Sequence, residues 1–200
     1  MNPGVPTADP KSVPPASAYP PGDLAVWVFI FAELLAFGVF FLAYAFTRMR
    51  HVELFDAMQG TLDRRAGALN TVLLITSSFC VARAVHAVDH AAARNGTRWL
   101  AAALACGAGF LIVKGAEYAD KFGAGISLST NTFYMFYLSL TFFHFMHVIL
   151  GMVVLAMLTV QTRRGDYGRG DMNGLESGAA YWHMVDLVWI VLFPLVYVLR

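Results

Sequence analysis

Five apolar stretches dominate this chain: residues 24–46, 68–87, 99–117, 131–160 and 179–199. Each is about as long as the roughly 20 residues that a helix needs to cross a bilayer core. In hydrocarbon every backbone N–H and C=O must find a partner within the protein, and long uninterrupted apolar runs meet that demand only as helices. The sequence therefore predicts an all-α integral membrane bundle of five transmembrane helices. Charged residues make up 14% of the chain and apolar ones 58%, whereas a soluble domain carries about 25% charge. A net charge of +1 offers nothing that nucleic acid would recognise.

Residues 23–200 are expected to form one membrane domain, with no room for a second. Residues 1–22 are polar and rich in proline (Pro3, Pro6, Pro10, Pro14, Pro15, Pro20, Pro21). They have no apolar core of the signal-peptide kind and are expected to form a disordered tail. Asp23 stands where it can cap the first helix. Residues 47–67 read as a polar connection. Cys80 and Cys106 both fall in apolar stretches and read as small buried hydrophobes. Arginines and lysines divide evenly between the two sides of a five-span chain, so the positive-inside rule gives no orientation.

What needs explaining is the polar set at depth. Glu33 is the sole charge of the first stretch, and Lys114 and Glu117 stand three apart near the end of the third, close enough to pair on one helix face. The fourth carries Tyr137, Thr141, His144, His147 and Gly151 along one face. The fifth places His183 and Asp186 three apart. Such groups do not tolerate lipid and should look into protein or a wet cavity. Glu33 is expected to hydrogen-bond a neighbouring helix, with residues 76–78 of the second stretch as its partner. His144, His147, His183 and Asp186 are expected to form a metal-free packing network between the last two helices. Imidazoles and a carboxylate on facing helices suit iron or zinc, but the paired Glu-x-x-His pattern of di-iron bundles is absent. Gly107 and Gly109 are expected to admit a close neighbour. Trp182 and Tyr181 at one end, and Tyr197 at the other, suit interfacial belts. His86, Asp89 and His90 read as a solvated face. No phosphate loop, nucleophile elbow or Cys-x-x-Cys occurs. Residue chemistry alone leaves two readings open, a subunit of a larger complex and a small proton-coupled transporter.

The motifs resemble one family. ESGAAYWHMVDLVWIVLF resembles the last helix of subunit III of the haem-copper oxidases, TFFHFMHVILG its penultimate helix, GFLIVKGAEY the helix ending in Glu-Tyr, GALNTVLLITSS the Asn-Thr helix start, and VFIFAELLAFGVFF the helix bearing its buried glutamate, here Glu33. They occur in the family's order from about Gly22 to Arg200. Five spans resemble the short form of the family, and the GDLAVWVFIFAE opening with the Phe-rich fourth stretch resembles the subunit-III-like proteins associated with nitric oxide reductases. Phe142, Phe145 and Lys114 depart from the larger members, which usually have glycine at the first two positions and often glutamine at the third. The resemblance implies an accessory subunit with no haem or copper of its own, those cofactors residing in partner subunits I and II. It implies contact with subunit I and with phospholipid, support of assembly and proton uptake, and residence in the inner (plasma) membrane with the N-terminus in the cytoplasm.

Overall fold

The computed structural model describes residues 23–167 and 172–199; the tail at residues 1–22 lies outside the described residues. Six α-helices follow one another: α1 (Leu24–Arg50), α2 (Val52–Gln59), α3 (Arg64–Asp89), α4 (Ala93–Gly123), α5 (Thr132–Arg164) and α6 (Asn173–Phe193), the last continued by a π turn over Pro194–Val198. There is no strand among the described residues. Five of the helices, all but α2, are long and apolar enough to span a membrane. The fold is an all-α membrane bundle, as the apolar runs predict.

Local chemistry sets the helix starts. The carboxylate of Asp23 accepts the Ala25 amide at 3.0 Å. Asp63 accepts the amides of Arg65 and Ala66, and the Asn131 side chain accepts that of Tyr134. Each occupies an amide left unpaired in the first turn. Gly165, at φ 84°, ends α5 in the left-handed conformation that suits glycine. With 33 residues, α5 extends about 50 Å at 1.5 Å per residue and outreaches the roughly 30 Å hydrocarbon core.

α6 is the central helix. It packs on α1, α3 and α5, while α4 closes the ring between α3 and α5. Over the most apolar window of each, 56% of α6 is buried but only 11% of α1, so α1 leans on the outside of a four-helix core. At the bundle centre Trp182 of α6, 1% exposed, fills the space left by Gly107 of α4 and Gly151 of α5. A Cβ at Gly109 would meet only ordinary contacts with Leu73. The close approach therefore rests on Gly107, and Gly109 is not required for it.

Two expectations are corrected here. Tyr181, Trp182 and Tyr197 are 5%, 1% and 0% exposed and point into the bundle rather than forming belts at the interface, because the central position of α6 leaves few of its faces to lipid. Residues 47–67 are not a bare connection, since they contain α2. This helix buries Phe55 and Gln59 against α5 and the π turn. Cys80 is buried and Cys106 half-buried, and both are free thiols. His86, Asp89 and His90 are exposed at the end of α3.

Candidate functional site

Three groups of polar side chains stand inside the bundle, each at a different helix contact. The first joins α1 to α5. His147 Nε2 lies 3.0 Å from Glu33 Oε2, and His147 Nδ1 lies 2.8 Å from the Phe143 carbonyl. A carbonyl only accepts, so Nδ1 carries a hydrogen. One proton then lies between Nε2 and the carboxyl oxygen, whichever of them holds it. Phe37 and Phe143 pack edge-on against the imidazole, with centroids 5.3 and 4.6 Å away. Glu33 thus bonds to α5 and not to residues 76–78, because α1 packs on α6 and α5 rather than on α3. Thr76 is exposed and returns its hydroxyl to the Val72 carbonyl, and Ser78 is taken by His183.

The second group joins α6 to α3. Ser78 Oγ lies 2.5 Å from His183 Nδ1, and Asp186 stands beside the same hydroxyl. One turn on, Trp189 Nε1 donates to Thr71 Oγ1 at 3.0 Å. Ser77 donates to the Ala103 carbonyl of α4 at 2.9 Å. The small hydroxyls of α3 therefore serve two neighbouring helices.

His144, His147, His183 and Asp186 consequently do not form one network between the last two helices. His147 turns to α1 and His183 and Asp186 to α3. His144 is fully buried among the rings of Phe37, Phe110 and Trp189, with no hydrogen-bond partner on either ring nitrogen among the described residues. Spacing puts two residues on one face of their own helix. It does not say which neighbour that face meets.

The third group lies near the C-terminal side, among α4, α5 and the π turn. Lys114, 0% exposed, donates to Glu117 Oε2 at 3.0 Å, to Tyr137 Oη at 3.2 Å and to Tyr197 Oη at 2.5 Å. Tyr137 and Tyr197 each donate to Glu117 Oε1, at 2.6 and 2.8 Å. Lys114 and Glu117 pair as their spacing predicts. Sequence reasoning missed the two tyrosines as their partners, and also Gln59, whose side-chain amide donates to the Val196 carbonyl at 2.9 Å. A signal was present for Lys114, a cation within an apolar run and one turn from Glu117; none was present for Tyr197.

Among the described residues, no three His, Cys, Asp or Glu side chains are gathered so as to hold a metal ion. The arrangement does three things: it ties helices together at chosen depths, holds one proton between Glu33 and His147, and buries an ion pair.

The order of these helices and their polar residues can be set against known proteins. The family profile for cytochrome c oxidase subunit III matches residues 22–200. The chain belongs to that family. Cytochrome c oxidase subunit 3 of Thermostichus vulcanus is 33% identical over 178 residues, 88% of this chain and 86% of that protein. That of Synechocystis sp. is 32% identical over 198 residues, 92% of this chain and 83% of that protein. A longer protein of Aeropyrum pernix, named heme-copper oxidase subunit I+III, is 32% identical over 179 residues, which are 86% of this chain and 22% of that protein. As a subunit III family member with five apolar spanning helices, the chain is a multi-pass membrane protein.

Proposed function

We propose that this chain is the non-catalytic accessory subunit III of a respiratory haem-copper terminal oxidase or nitric oxide reductase complex. The observation that carries the reading is the family match across residues 22–200, which takes in every spanning helix and all three polar groups. In this role the chain flanks the catalytic subunit I, and where present subunit II, and those partners hold the haem and copper. A relative whose name joins subunits I and III supports that pairing. The resemblance of GDLAVWVFIFAE to proteins associated with nitric oxide reductases supports a partner that reduces nitric oxide as well as one that reduces oxygen.

The chain's own contribution is to assembly, lipid binding and proton uptake by the partner. The one-proton contact between Glu33 and His147 supports the last of these. A cavity of about 430 Å³ lined by Tyr118, Phe122, Leu128, Leu138 and Phe142 supports a phospholipid chain between α4 and α5. The family resemblance supports the inner membrane and a cytoplasmic N-terminus, which a reporter fused ahead of Asp23 tests.

The deciding experiment purifies the tagged chain in mild detergent, identifies what accompanies it and records the optical spectrum. A haem protein should co-purify, and the haem should leave with the partners when they are stripped away. Haem retained by the isolated chain overturns the reading. So does proton-coupled solute uptake by the chain alone in liposomes, which is the behaviour of a transporter. Consumption of oxygen or of nitric oxide by the captured complex identifies the partner's substrate.

A further inference from the structure

Lys114 stands about two turns inside the C-terminal end of α4. A lysine so placed ordinarily extends toward the headgroups, and Lys121, nearer the end, does reach outward to the Thr61 carbonyl. Lys114 turns inward instead. Each of its three N–H groups meets an acceptor: Glu117 Oε2, Tyr137 Oη and Tyr197 Oη. The two hydroxyls that accept from it pass their own hydrogens to Glu117 Oε1. The five hydrogen bonds close on themselves. The rings of Tyr118 and Trp189, centred 5.0 and 5.9 Å from Nζ, complete the enclosure within the range over which an aromatic ring attracts a cation. A carboxylate, two hydroxyls and two rings around one ammonium make up the chemistry that recognises a primary alkylammonium ion.

The walls of this enclosure come from α4, α5, α6 and the π turn, and the last has been re-aimed to supply its part. Tyr197 follows Trp189 by eight residues. In an uninterrupted α-helix it would point about 80° away from it. The Leu199 amide instead bonds to the Pro194 carbonyl, five residues back, at 2.9 Å. The wider turn advances less per residue and brings the Tyr197 hydroxyl round to Lys114 and Glu117.

We propose that Glu117, Tyr137, Tyr197, Tyr118 and Trp189 form a cation-binding site inside the bundle, that its native occupant is the chain's own Lys114 ammonium, and that this occupancy holds the last turn of the chain in place. The lysine acts as a tethered ligand. Lys114→Ala removes three carbons and the ammonium, which is the shape of n-propylammonium.

The test uses the full chain purified in mild detergent with the partners it carries. A nitroxide is placed at Leu199→Cys, an exposed position, in a background with Cys80 and Cys106 changed to alanine. The label should be immobile in the parent and mobile in Lys114→Ala. It should become immobile again on adding n-propylammonium chloride, but not on adding tetramethylammonium chloride, which has no N–H to donate, or n-propanol, which has no charge. A label that stays immobile in Lys114→Ala overturns the proposal. So does a mobile label that n-propylammonium leaves unchanged, or one that all three additives restrain equally. If Lys114→Ala cannot be extracted intact, extraction with n-propylammonium present throughout decides: a monodisperse chain supports the site, and continued aggregation overturns it.

Discussion

Gly107 and Gly151 are both approached by Trp182, yet they are not equivalent. A Cβ at Gly151 would lie 2.7 and 2.8 Å from two ring carbons of Trp182, and that ring is fully enclosed. A Cβ at Gly107 would collide with the Met152 sulfur and meet the Trp182 ring at 3.1 Å; the thioether sits on a flexible side chain that can swing aside. Gly151→Ala is therefore expected to destabilise the bundle by about 1–3 kcal/mol through overpacking, and Gly107→Ala by less. Thermal unfolding of the two variants in detergent should rank them in that order. Glu33 invites a similar comparison. Glu33→Gln can donate an N–H to His147 Nε2 and should unfold with the wild type. Glu33→Leu leaves His147 without its α1 partner and should lose about 0.6 kcal/mol, the mean measured for hydrogen bonds between helices in a membrane, and no more than about 1.7 kcal/mol, the largest such value. If Glu33→Gln assembles normally but proton-coupled turnover of the complex falls sharply, the carboxyl handles protons as well as joining helices.

At the level of elements, the C-terminal side is organised by α2. The π turn frees carbonyls that an α-helix would use, and Gln59 takes those of Leu195 and Val196, the first at 3.4 Å and the second at 2.9 Å. Arg48 reaches the Leu199 carbonyl and is itself held by Asp56 of α2 at 2.9 Å. Gln59→Leu keeps the bulk and leaves buried carbonyls unpaired, at a cost of about 1–3 kcal/mol. The expected outcome is a lower unfolding temperature and earlier hydrogen exchange at Val198 and Leu199, with α4 and α5 unchanged in their middles. On α6, Asp186→Ala removes a group from beside Ser78 and His183. It should lower the yield of assembled complex while leaving the haem spectrum of what does assemble unchanged; an altered spectrum would mean that Asp186 shapes the partner's haem surroundings as well as helix packing.

For the whole molecule, the uneven burial of the spans predicts an order of loosening. α1 meets the core along one narrow face, through Ile30, Phe37 and Tyr44, through Glu33, through the Asp23 amide that donates to Ser177 Oγ at 2.8 Å, and through Arg48 at its other end. It turns Leu24, Val28, Phe31, Leu35, Val39 and Leu42 outward, all more than half exposed. Segments with few buried contacts open first. On warming in detergent, α1 should therefore lose hydrogen-exchange protection before α6 does. Simultaneous loss in the two helices would mean that α1 is an integral part of the core.

The fold class was legible because bilayer length and backbone pairing leave a run of some 20 apolar residues one choice. The Asp23 cap and the Lys114–Glu117 pair were legible because both are local, set by neighbours within one turn. The destination of each polar face was not. Glu33 was expected at residues 76–78 and meets His147; His183 was expected on α5 and meets Ser78. Helical spacing fixes where a side chain sits around its own axis, whereas the helix it meets depends on how five cylinders pack, and here that is set by bulk at the centre, where Trp182 fills the space beside Gly107 and Gly151. Tyr197 shows the same limit most plainly. The α-helical repeat directs it away from Trp189, and only the π turn, its freed carbonyls held by Gln59 of α2, carries it to Lys114. The sequence alone determined that the chain spans a membrane five times with acids and imidazoles at depth, because those features depend on length and local spacing. Tertiary structure alone decided which of those groups meet, because that depends on residues far apart in the chain competing for the same space.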